Sequence, residues 1–281
     1  MPKILERLAA GDKPLLWLDD NAYADKLLAG GKTPWHDGAE YVAFRRKAHG
    51  LLRPDFVVIP VGRISAAWVA SHPALKEAMA AKKRAIAPAR TLLADEQLRT
   101  HLVEMLKGLR AAFAGAPLVL SIPSPRAWVI EAWQLAFGAD AEVEVGGDEA
   151  DSCSVYVAEF LRSFGESGVD GLLLREHEGA EPVSAEEIAW YQPVINIAGH
   201  YRWDLGLRLP SAEGFSGDVA GVQFVIAPKV LGGAVSGLAL GSGFWNGDAA
   251  PAAPAGGFRF AQVPTDAVPE KVLERLGTLR G

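Results

Sequence analysis

The sequence predicts a parallel β/α barrel, one domain over residues 1–281, on three observations. Short apolar runs without alternation recur along the chain, segments of helical period separate them, and each apolar run ends abruptly in polar residues. A strand covered by helices on both faces loses the period-two pattern of a half-solvated strand. Alternation of such runs with helical segments marks repeated βαβ units. A chain of 281 residues suits a single barrel and buries enough surface to need no staples.

Seven runs read as strands: 15–18, 56–61, 118–122, 171–174, 194–197, 222–226 and 258–263. An eighth is needed for closure and is expected at Ala141–Val145; without it the alternative is an open doubly wound sheet. Helical period covers 39–51, 73–81, 95–113, 128–137, 154–167, 185–190 and 269–279. Ser184 with Glu187 three residues on forms a capping-box pattern, and Pro269 suits a first helical turn. Residues 231–257, rich in Gly, Ala and Pro, read as a flexible loop or a lid tipped by Phe244 and Trp245.

Composition bounds the function. A net charge of −6 with scattered Lys and Arg speaks against nucleic acid or an anionic membrane as partner. The single Cys153 cannot form an internal disulfide, and no run approaches the ~20 apolar residues of a membrane span, so a cytoplasmic protein is expected. The expected partner is a small anionic substrate; a homodimer is compatible with the pattern. No Walker lysine loop, dinucleotide fingerprint, GxSxG elbow or compact metal-ligand spacing is present, and no metal is expected.

In a parallel barrel the site is built at the C-terminal strand ends. Reading outward from each run gives Asp19, Asn21 and Tyr23, then Arg63, Arg126, Arg175 with Glu176 and His177, then His200, Tyr201, Arg202 and Asp204, and finally Lys229. His36 and Trp245 could reach the rim from neighbouring loops. Arginine forks match carboxylates in a bidentate way, so Arg63, Arg126, Arg175 and Arg202 point to a carboxylated ligand. Histidine titrates near neutral pH, which makes His200, oriented by Asp204 and flanked by Tyr201, the expected acid–base group, with His177 as a second.

The segment YVAEFLRSFGESGVDGLLLRE and the ending FRFAQVPTDAVPEKVLERLGTLR resemble the superfamily of uroporphyrinogen decarboxylase and cobalamin-independent methionine synthase. The resemblance covers about the last half of the chain and implies a barrel with an arginine-lined mouth for an acidic substrate. Its methyltransferase branch implies zinc held by a His and two Cys, whereas this chain has Cys153 alone. Its decarboxylase branch implies an N-terminal arginine motif, which LLWLDDNAYADK lacks. The expected activity is a decarboxylase-like lyase working by acid–base catalysis without a cofactor. The alternatives are a methyl or other one-carbon group transferase with a folate or corrinoid donor, and a non-catalytic ligand-binding barrel.

Overall fold

The computed structural model describes residues 4–11 and 15–280. Eight parallel strands form the barrel wall: β1 (Leu15–Asp19), β2 (Val57–Pro60), β3 (Leu118–Pro123), β4 (Gly171–Arg175), β5 (Asp204–Arg208), β6 (Phe224–Ala227), β7 (Val235–Ala239) and β8 (Phe258–Gln262). Ladders run β1-β8-β7-β6-β5-β4-β3-β2, so β1 and β2 share no ladder. Asp55, just before β2, bridges that seam: its amide donates to the Leu16 carbonyl at 3.2 Å and its carboxylate accepts from the Leu16 amide at 2.7 Å. A side-chain oxygen thereby satisfies a strand amide that a ladder would otherwise hold.

The helices are α1 (Ile4–Ala10), α2 (Asn21–Ala29), α3 (Gly38–Leu52), α4 (Val61–Ser71), α5 (Pro73–Ala80), α6 (Ala87–Leu93), α7 (Glu96–Ala112), α8 (Pro125–Phe137), α9 (Gly147–Arg162), α10 (Gln192–Tyr201), α11 (Ser242–Trp245) and α12 (Pro269–Arg280). Their starts follow from capping. Asp37, Asp95 and Ser124 accept from the amides of Glu40, Leu98 and Ala127, which releases those donors from water. In α7 the buried residues Leu98, Leu102, Met105, Leu106 and Leu109 form one stripe facing the wall. The Ser184–Glu187 pair is a reciprocal cap, each amide donating to the other side chain, and it opens a 3-10 turn at Glu187–Tyr191.

The barrel interior holds an aromatic cluster. Trp17 stacks on Phe56 at 4.6 Å and on Phe258 at 5.6 Å, and Phe224 closes against both Trp17 and Phe258. Ile4 of α1 joins the same cluster at the N-terminal end. These rings need space on the neighbouring strands, and glycine supplies it. Gly206 pairs with Phe224 and Gly237 with Phe258 across the ladders. A Cβ on Gly206 would lie 2.0 Å from the Phe224 ring, and one on Gly237 would lie 2.6 Å from the Phe258 ring.

Three expectations are corrected. Residues 194–197 lie in α10, where Val194, Ile197 and Ala198 form the buried face of a helix; four apolar residues alone do not separate strand from helix. The fifth strand is the next segment, DLGLR. The eighth strand is not at Ala141–Val145, which makes no ladder, but at Val235–Ala239 inside the stretch read as loop or lid. Phe244, the expected lid tip, is 3% exposed and packs beneath Arg275 at 4.3 Å.

Because Phe224 is held between Trp17 and Phe258, its ring cannot swing aside for a methyl group. Gly206→Ala is expected to lower stability by about 1–3 kcal/mol through overpacking. Urea denaturation checks this, and a midpoint equal to that of the parent protein would show that the interior tolerates the extra carbon.

Candidate functional site at the barrel mouth

The C-terminal strand ends surround a cavity of about 300 Å³. Its floor is apolar, made by Trp17, Val58, Leu173 and Phe260, the upper layer of the interior cluster. Its rim is charged. Asp19 closes β1, Arg175 closes β4, Arg208 closes β5 and Gln262 closes β8, while Arg63 comes from the first turn of α4 and Glu131 from α8. Asp19, Arg175, Arg208 and Gln262 sit where a strand buried on both faces first meets solvent, as a parallel barrel requires.

The charges at the rim are paired across the opening. Arg208 donates to the Asp19 carboxylate at 3.3 Å and to the Gln262 carbonyl oxygen at 2.8 Å, and its guanidinium lies 4.7 Å from the Phe260 ring centre. Asn21 donates to the other Asp19 oxygen at 2.9 Å. Arg63 reaches Asp25 at 3.5 Å and lies over Trp35, and Arg175 faces Glu131 at 3.8 Å. Behind Asp19, both terminal nitrogens of Arg45 donate to Asp20 at 3.1 Å in a fully buried pair beside Tyr41. That pair fixes the turn from β1 into α2, and with it the direction of Asp19 and Asn21.

A second set of contacts holds the loop after β4. Tyr191 donates its hydroxyl proton to Glu176 at 2.8 Å, Ser124 lies beside both, and Arg126 donates to the Glu181 carbonyl at 2.9 Å. His177 is thereby placed on the cavity wall. Burial lowers its pKa, with Arg175 and Arg126 acting in the same direction against Glu178, which favours the uncharged ring. Burial raises the pKa of Glu131 against the opposing effect of Arg175. An imidazole held below its ordinary range and a carboxyl group held above its own thus share one cavity, a pair suited to proton transfer.

Asp19, Asn21, Arg63, Arg175 and His177 come together at the mouth. Glu176 lies buried under the loop, and Arg126 borders a neighbouring groove. Tyr23 is buried against the α12 side, its pKa raised by burial and Glu270. His36 sits beside Trp68 at 6.1 Å near His72 and His101, and its pKa is lowered, chiefly by burial. Lys229 is exposed after β6, and Trp245 packs on Phe244. His200, Tyr201, Arg202 and Asp204 are at the opposite end of the barrel. There α10 ends, Arg202 takes the left-handed conformation that closes it, and Asp204 opens β5, accepting from the Leu5 amide at 3.1 Å. Sequence reasoning missed Arg208, Gln262, Glu131 and Glu178, the last of which lines the mouth and faces Arg208 at 3.6 Å. Arg208 had a signal, as the polar residue ending DLGLR; Glu131 had none, because it reaches the mouth from within a helix.

The neighbouring groove, about 740 Å³, lies between α8, residues 139–146 and residues 177–181, and shares His177 with the mouth cavity. The zinc site implied by the resemblance does not fit these residues. Cys153 is buried in the core on α9 with its thiol pushed up to about 12, and among the described residues no three His, Cys, Asp or Glu converge on one point. Among the described residues no helix is long and apolar enough to cross a membrane.

No family model and no curated protein matches the sequence. Among solved structures, a methyltransferase from Methanosarcina mazei matches with a TM-score of 0.60 at 12% identity, over 99% of this chain and 98% of that one. The apo homocysteine methyltransferase MmuM from Escherichia coli matches at 13% identity over 97% of each chain, with a TM-score of 0.38. The first likeness shows a shared fold. The expectation of a lyase is corrected here: the barrel that shares the fold is a methyltransferase, and the acid–base group built on His200 and Asp204 lies at the far end from the mouth. The mouth arginines, moreover, already face carboxylates of the chain itself.

Glu131 supplies a check on the electrostatics. A carboxyl whose folded pKa is raised contributes stability below its unfolded pKa and loses it as pH rises through the folded value. Glu131→Gln is therefore expected to be at least as stable as the parent at neutral pH, with the difference closing as pH falls below the ordinary carboxylate range. Urea denaturation at several pH values measures this; a variant less stable at neutral pH would mean that Arg175 needs its partner more than burial penalises it.

Proposed function

We propose that the protein is a group-transfer enzyme that moves a methyl or other one-carbon unit from a donor in the groove between α8 and residues 177–181 to a small polar acceptor in the mouth. The observation that carries this reading is that His177 lines both the mouth cavity, about 300 Å³, and the neighbouring groove, about 740 Å³. A single small substrate needs one binding place; a transfer needs a second beside it, and His177 borders both. The fold shared with a methyltransferase is in keeping with it, as is the resemblance to the methionine synthase-like superfamily. A folate or corrinoid donor and a cytoplasmic setting belong to the same reading.

The chain's own residues would act as follows. Asp19, Arg208 and Gln262 orient the acceptor through its polar groups, over the apolar floor of Trp17 and Phe260. As the acceptor's lone pair bonds to the transferred carbon, the bond to the donor breaks and its electron pair stays with the donor. The proton shed by the acceptor passes to His177. General-base assistance of this kind is worth about 10²- to 10⁴-fold in rate.

The test is transfer of a ¹³C-labelled methyl group from methylcobalamin or methyltetrahydrofolate to a panel of small thiols and amines, followed by NMR. Transfer by the parent protein, with His177→Ala slower by about 10²-fold or more, is the expected result. No transfer from either donor, combined with no binding of either donor to the parent protein, would overturn the reading.

A further inference from the structure

A simple β/α barrel places one helix between successive strands, whereas four, α4 to α7, stand between β2 and β3. Two of the three additional ones, α5 and α6, pack against α8, and α6 also against α9. Where the α5–α6 connection faces α9 they enclose a cavity of about 390 Å³, within the range of small-molecule sites.

The lining of this cavity differs from that of the mouth. Its polar side chains are Lys82, Arg84, Arg90, Thr91, Ser152 and Tyr156, with no carboxylate among them. At the mouth Arg63, Arg175 and Arg208 each face an acid, yet among the described residues none of Lys82, Arg84 and Arg90 has an ion-pair partner. In a chain of net charge −6, three cations gathered around one concavity without an acid are a local reversal of sign. Arg90 is steadied over the Tyr156 ring at 5.5 Å, which holds one guanidinium fork against the wall. Ala78, Ala81, Ile86 and Ala87 supply an apolar side beside the cations.

We propose that this flank cavity is a binding site for a phosphorylated small molecule carrying two or more phosphoryl groups. Two arginine forks and a lysine match the several charged oxygens of a diphosphate better than one carboxylate, the hydroxyls of Thr91, Ser152 and Tyr156 donate to remaining oxygens, and the apolar side accommodates the organic part. The site is separate from the mouth and does not depend on the reaction proposed there.

Inorganic pyrophosphate is the probe, measured by calorimetry on the full chain at fixed ionic strength, with citrate and sodium chloride as controls. The expected result is saturable pyrophosphate binding, weakened at least tenfold in Arg84→Gln/Arg90→Gln and unchanged in Asp19→Asn at the mouth. Lys82→Gln, also at an exposed position, should weaken it by a smaller factor, which guards against a folding defect in the double variant. Equal binding by the double variant, a citrate response as strong as that to pyrophosphate, or a heat signal that only tracks ionic strength would overturn the proposal.

Discussion

The aromatic rings inside the barrel dictate what the adjoining strands can contain. Trp17, Phe56, Phe224 and Phe258 fill the interior at ring-centre distances of 4.6 to 6.2 Å, and two of them lie where a neighbouring strand would otherwise carry a side chain. Interiors pack at crystal density, so the bulk of one strand must be offset by absence on the next. Gly206 and Gly237 are that absence. The mouth rests on this packing: Trp17 and Phe260 are at once the upper layer of the core and the floor of the cavity.

The same packing explains where sequence reading failed. Parallel strands rich in Leu, Val and Ile, such as LVLSIP and GLLLR, are recognisable because burial on both faces leaves a continuous apolar run. DLGLR and VSGLA carry a central glycine, and in a sequence a glycine made necessary by a phenylalanine on another strand cannot be told from one in a loop. VSGLA also sits in a Gly- and Ala-rich neighbourhood, so it merged with its surroundings. Losing DLGLR to the preceding helix moved the inferred strand end from Arg208 to His200, and an entire group of candidate residues went to the wrong end of the barrel. Asp19, Arg63, Arg175 and His177 were legible because their strands, or in Arg63's case the strand just before it, were. Glu131 depends on a helix crossing behind the rim, a relation that spacing does not carry.

Two buried polar assemblies turn this wall into a shaped opening. The Asp20–Arg45 pair at the end of β1 and the Ser124–Tyr191–Glu176 group at the ends of β3 and β4 support two separate stretches of the rim. Each is costly to bury and is compensated by its partners, so breaking either leaves a charge or donor in a dry place. Their yield is direction: one aims Asp19 and Asn21, the other holds the loop that carries His177.

The contact between Arg208 and Asp19 joins strands on opposite sides of the barrel, four places apart in the ladder order. It is a strut across the opening, and a charged ligand at the mouth would meet it first. Ligand uptake is then an exchange of partners: an incoming anion competes with Asp19 for the guanidinium, and an incoming cation competes with Arg208 for the carboxylate. A ligand offering only one charge would leave Asp19 to Asn21 alone, or Arg208 to Gln262 and Glu178. One offering both could replace the strut outright, so the resting protein carries within itself the competitor against which its ligands are selected.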